Sequence, residues 1–184
     1  MRFLDEQETR AWLDDHSIVH SQRSCASYPA DAWQIRIRLP VHYTRVVFLA
    51  GLVLQWSLEG HVGEVLTTPV DWFFANDNNF TYDLWNALRR AHVSDAPTLD
   101  EKDAQVTGAD AIPIMQQFLI LPMLEWNWRC TVIPSHNRHF LHVRDGDLYV
   151  VSPTHEELEK IHDWLQYHAF AGHPEPARQM FLAV

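Results

Sequence analysis

The sequence predicts an α+β fold: a single domain over residues 1–184, with helices packed on one mainly antiparallel sheet of about four strands. Three observations predict it. The stretch from His139 to His168 reads as a β-hairpin followed by a capped helix. Trp33 to Leu39 alternates strictly between apolar and polar residues. The remaining apolar segments are neither spaced nor connected like a doubly wound fold.

The hairpin turns at Asp145-Gly146, a pair that tolerates the positive φ of a type I′ turn. That turn sets Arg144 opposite Asp147, Val143 opposite Leu148, His142 opposite Tyr149 and Leu141 opposite Val150. Side chains alternate faces along a strand. Leu141, Val143, Leu148 and Val150 therefore share a buried face. Phe140, His142, Arg144, Asp147, Tyr149 and Val151 share the other, with an ion pair expected between Arg144 and Asp147. Thr154 then begins a helix, with Glu157 three residues on as the second half of a capping box and Ser152 as an alternative cap. At 100° per residue, Leu158, Ile161, Trp164, Leu165 and His168 fall on one packing arc.

The other elements follow from the N-terminus. Asp5 to about Asp15 reads as a helix with acids in its first turn and Ala11 and Trp12 pointing inward. Residues 17–32 read as irregular. In the Trp33–Leu39 strand four apolar residues face inward, Gln34, Arg36 and Arg38 face outward, and Pro40 ends it. Thr44 to Leu58 is long enough to favour a mostly buried helix. A short strand is expected around Glu64 to Thr67, a turn at residues 76–79, and a helix from Tyr82 to about Ala91 capped by Thr81. Residues 94–111 are rich in acids and poor in apolar groups and read as a mobile acidic loop. Ile112 to Leu124 contains a short helix ended by Pro122, and Trp126 to Ile133 a strand leading to the hairpin.

Twenty-four acidic and 14 basic residues give a formal charge of −10. That balance weighs against nonspecific binding to nucleic acid or to an anionic membrane. Cys25 and Cys130 are too few for a disulfide framework, the N-terminus has acids where a signal peptide needs an apolar core, and the run Val46–Leu58 falls short of the ~20 residues that span a bilayer. A cytoplasmic protein is expected. The 8 Trp, 9 Phe and 5 Tyr suit an aromatic core or an aromatic contact surface.

Candidate chemistry is sparse. His136, His139 and His142 suggest a metal cluster, but residues three apart on a strand point to opposite faces, so no metal site is expected there. His16 and His20 have helical i,i+4 spacing without a third ligand, and His155 and His162 read as a helix flank with Glu159. Neither cysteine has a visible activating neighbour. No phosphate loop, dinucleotide fingerprint or nucleophile elbow is present, and no cofactor is expected. Arg36 and Arg38, with His42 and Arg45 just beyond, form a local basic patch able to hold an anion or an acidic partner.

These features favour a non-catalytic protein-binding module over an enzyme. In composition alone the chain resembles bacterial immunity proteins, which inhibit cognate toxins; no motif carries the likeness, and it implies an immunity- or inhibitor-like role. The expected binding residues are Phe140, His142, Arg144, Asp147 and Tyr149 on the hairpin, with Arg36 and Arg38. The alternative is a hydrolase-like enzyme whose site gathers dispersed His and Asp/Glu residues.

Overall fold

The structure, a computed structural model, describes residues 2–4, 6–20, 31–58, 64–70, 103–106, 119–120, 123–124, 129–136 and 138–177. Among them the elements run β1 (Arg2–Leu4), α1 (Glu6–Asp15), β2 (Trp33–Arg38), α2 (Tyr43–Leu58), β3 (Val65–Val70), β4 (Asp103–Val106), β5 (Arg129–Pro134), β6 (Phe140–Arg144), β7 (Asp147–Ser152), α3 (His155–Tyr167) and β8 (Pro174–Pro176). The eight strands form one sheet in the order β1-β4-β3-β5-β6-β7-β2-β8. Every pairing is antiparallel. The α+β class is as expected, and the sheet is about twice as wide as the sequence suggested. The expected turn at 76–79, the helix from Tyr82, and Cys25 lie outside the described residues.

The hairpin register is the expected one, from Arg144↔Asp147 to Phe140↔Val151. Asp145 and Gly146 both have positive φ, 52° and 78°, as a type I′ turn requires. Thr154 is the N-cap of α3 and accepts from the Glu157 backbone N–H. The Glu157 carboxylate accepts from the Ser152 hydroxyl and pairs with Arg138.

The sheet is covered on both faces. On the back, α2 and α3 pack Val46, Leu49, Val53, Leu158, Ile161 and Leu165 against Ile35, Ile37, Leu141, Val143, Leu148 and Val150. On the front, Trp12 and Leu13 of α1 pack with Leu4, Leu66, Ile133, Phe140 and Val151. Helix α1 covers only part of this face, because β2, β7 and β6 continue beyond it as polar rows.

Four local expectations are corrected. Residues 103–106, read as part of a loop, form β4 between β1 and β3; backbone hydrogen bonds on both sides recruit a segment with little apolar surface. Trp164 is half exposed, whereas Leu158, Ile161 and Leu165 are the buried residues of α3. Ala11 is exposed, and Thr9, Trp12 and Leu13 form the buried side of α1. The expected Arg144–Asp147 ion pair is replaced: Arg144 turns to Asp145, and Asp147 is taken by β2.

Gly172 lies where α3 returns to the sheet edge. A Cβ there would sit 2.6 Å from the Ile35 side chain and 2.9 Å from the Arg36 carbonyl. Gly172→Ala should therefore push β2 out of place and lower stability by about 1–3 kcal/mol, read as a drop in urea midpoint. The edge strand beyond it carries Pro174 and Pro176, which have no N–H to offer to another strand. No helix among the described residues is long and apolar enough to cross a membrane.

Candidate functional site

Alternation along β5, β6, β7 and β2 aims a set of polar residues at the part of the front face not covered by α1. Pairing orders them in rows. One row runs Thr131, His142, Tyr149, Arg36; the next runs Arg144, Asp147, Arg38. The two arginines of β2 and the hairpin residues, expected as separate features, thus form one surface. The pairing of β2 with β7 joins them.

Two carboxylates organise the surface. Asp147 is buried, with only 3% of its side chain accessible. Its Oδ2 accepts from Arg36 Nη2 at 2.6 Å and from Nε at 3.1 Å, and Arg38 Nη1 lies 3.5 Å from Oδ1. Asp145, exposed at the turn, accepts from Arg144 Nε at 2.8 Å and has Arg129 Nη2 at 3.7 Å. Arg38 also donates to the Asp145 carbonyl at 3.3 Å. Each aspartate therefore holds two arginines. The Arg36 and Arg38 side chains are 58% and 59% accessible. The hydrogen bond that Arg36 donates to Asp147 pushes the Arg36 pKa above its ordinary value; Tyr149, the Asp147 charge and Glu175 add to it, and burial opposes them.

His142 lies beneath this rim. Its Nδ1 is 2.9 Å from Thr131 Oγ1, and its ring lies 6.0 Å from that of Tyr149, tilted by 40°. Burial pushes its pKa down to about 4; Arg144 and Arg129 push the same way, and a Cys130 backbone hydrogen bond and Asp145 oppose them. The imidazole is therefore neutral near pH 7. Phe140, expected at the binding face, sits instead under α1 with 1% accessibility. It supports the site from below.

The other sequence candidates go elsewhere. His139 projects to the back face, as alternation requires, where it stacks on Trp56 at 4.1 Å and its Nε2 lies 3.7 Å from Glu157. His136 Nε2 is 2.8 Å from the Ser57 carbonyl. His16 bonds the Trp12 carbonyl, and His20 bonds Asp14. His155 pairs with Glu159, and His162 reaches the Gly172 carbonyl. Cys130 is buried in the back core. Arg45 leaves the basic patch altogether: it donates to the carbonyls of His168 and Ala169 and lies over the Phe170 ring at 4.4 Å. Among the described residues no three His, Cys, Asp or Glu side chains are grouped to hold a metal.

Sequence reasoning missed Arg129, Thr131 and Asp145. The signal for the first two was alternation along β5, once its pairing with β6 is known. Asp145 was assigned only to the turn. Comparison with protein-family models, curated proteins and solved structures finds no match.

Proposed function

We propose that this protein is a non-catalytic binding module that docks a protein partner on the front face of β5, β6, β7 and β2, through Arg36, Arg38, Arg144 and Tyr149. The observation that carries the reading is the arrangement of arginines tethered to aspartates around a tyrosine on a rigid sheet. Arg and Tyr are the residue types that anchor interfaces, and tethering lowers the entropy lost when they are immobilised. His142 suits a supporting role better than a catalytic one: it is buried, neutral and held by Thr131.

Capture of a partner on the immobilised protein tests the proposal. Replacing Tyr149 and Arg144 together by Ala should weaken that partner by about 2–4 kcal/mol with the far-UV spectrum unchanged. Normal binding by the double variant rejects this face. Turnover of a small molecule that is lost in His142→Ala replaces the binding-module reading with the enzyme.

A further inference from the structure

We infer that the seam between α3 and the chain returning to β8 holds a divalent transition-metal ion of the zinc, nickel or copper class. His162 and His173 are its ligands, with the Gly172 carbonyl and the Gln166 side-chain oxygen as further donors. The site is independent of the front face and of what docks there. Two contacts converge on one nitrogen: His162 Nε2 lies 3.1 Å from the Gly172 carbonyl oxygen and 3.0 Å from Gln166 Nε2. A ring nitrogen carries either a proton or a lone pair, so it cannot donate to the carbonyl and accept from the amide at once. A half-turn of the amide exchanges its nitrogen for its oxygen, and His162 Nε2 then stands beside two oxygens. Donor atoms held ~2.1 Å from one ion lie ~3.0 Å apart at a right angle and ~3.4 Å apart at the tetrahedral angle. The spacings around His162 Nε2 fall at the short end of that range. The His173 ring centroid is 6.0 Å from that of His162, with the rings tilted by 53°. Two imidazoles on one ion put their centroids ~5–6 Å apart. His173 is exposed, so its ring can turn a nitrogen inward.

These donors are braced by the surrounding chain. Arg45 donates to the His168 and Ala169 carbonyls, and the Phe170 N–H donates to the Leu165 carbonyl at 2.8 Å, so the turn out of α3 is fixed. Gly172 is pressed so closely on β2 that a Cβ would strike the Ile35 side chain and the Arg36 carbonyl, which holds its peptide in place. Pro174, the residue after His173, is already paired with Ile35. Strand pairing therefore brings the second histidine to the first, and the sequence shows only a helix flank at His162. The donor set is two imidazoles and two neutral oxygens. Imidazole suits zinc, nickel and copper, whereas magnesium and calcium favour carboxylates and water. A cation also suits a chain of formal charge −10. Bound here, the ion would tie α3 to the edge strand β8.

The experiment titrates the full chain with zinc chloride in a calorimeter, with magnesium chloride as the hard-cation control. Zinc should bind and magnesium should not. His173→Ala, at an exposed position, should keep the fold and weaken zinc about tenfold or more, and His162→Ala should do the same. Gln166→Leu keeps the bulk of the side chain, removes its oxygen, and should weaken zinc by a smaller factor. The chain has 12 histidines, so a control must separate this seam from scattered imidazoles. His155→Ala removes another histidine of α3 and should leave the affinity unchanged. A second readout is amide hydrogen exchange at Ala177, whose N–H donates to the Ala32 carbonyl just beyond β8. Zinc should slow that exchange in the parent and not in His173→Ala, because a ligand that binds only the folded seam stabilises it. Unchanged zinc affinity when His162→Ala and His173→Ala are combined overturns the inference. So does a loss in His155→Ala as large as in His173→Ala, equal binding of magnesium, or a parent chain that takes up no zinc. Exchange at Ala177 unaffected by saturating zinc overturns the tie to β8.

Discussion

Phe140→Ala should lower unfolding stability by about 3–5 kcal/mol. Phe140 is among the largest fully buried side chains, and its neighbours come from three directions: Trp12 and Leu13 on α1, Val151 opposite it on β7, and Leu66 and Ile133 on β3 and β5. Those neighbours belong to separate elements, so the cavity left by truncation cannot collapse without moving α1. The loss should appear in the urea midpoint of the variant. A change near 1 kcal/mol would mean that α1 does not pack on the sheet as described. Because Phe140 lies one residue pair along β6 from His142, part of the damage should reach the binding face. Phe140→Leu, which keeps most of the volume, should restore most of the stability.

The second large effect is a loss of stability in acid carried by His142. Folding pushes its pKa from the ordinary value of 6.5 down to about 4. The unfolded chain therefore takes up a proton as the pH falls below about 6.5, and the folded chain does so only near pH 4. Between those values the unfolded state binds more protons, so stability falls as the pH falls. The full effect is roughly 3 kcal/mol across that window. Urea unfolding at about pH 7 and about pH 4 should show His142→Asn losing less stability on acidification than the parent. Equal losses in the two proteins would show that the ring is not held neutral by its surroundings. The carboxylates titrate in both proteins and cancel in the comparison.

Much of the back half of the fold was legible in the sequence because its determinants are local. A Gly in a two-residue turn fixed one register, and that register sorted ten side chains onto two faces. A capping Thr placed the start of α3. The rest was decided by contacts between segments far apart in the chain. Nothing local says that Trp33–Arg38 pairs with β7, yet this pairing takes Asp147 away from Arg144 and gives it to Arg36. Nothing local says that α1 covers Phe140 and Val151 but leaves Tyr149 at its margin. Helical periodicity put Trp164 on the packing arc, whereas Leu158, Ile161 and Leu165 are the residues of α3 that are buried and Trp164 stays half exposed. Asp103–Val106 has a loop's composition and a strand's hydrogen bonds. The site suffered likewise: its members sit on four strands, and only the hairpin pair could be joined from sequence.

The location of the contact surface is tested most directly by hydroxyl-radical footprinting of the protein with its captured partner. Three aromatic side chains report on the two sides of the sheet: Tyr149 on the front, and Trp164 and Tyr167, both exposed on α3, on the back. The account predicts that the partner slows oxidation of Tyr149 and leaves Trp164 and Tyr167 as reactive as in the free protein. Protection of Trp164 and Tyr167 with Tyr149 unchanged would contradict it and move the binding surface to the helices.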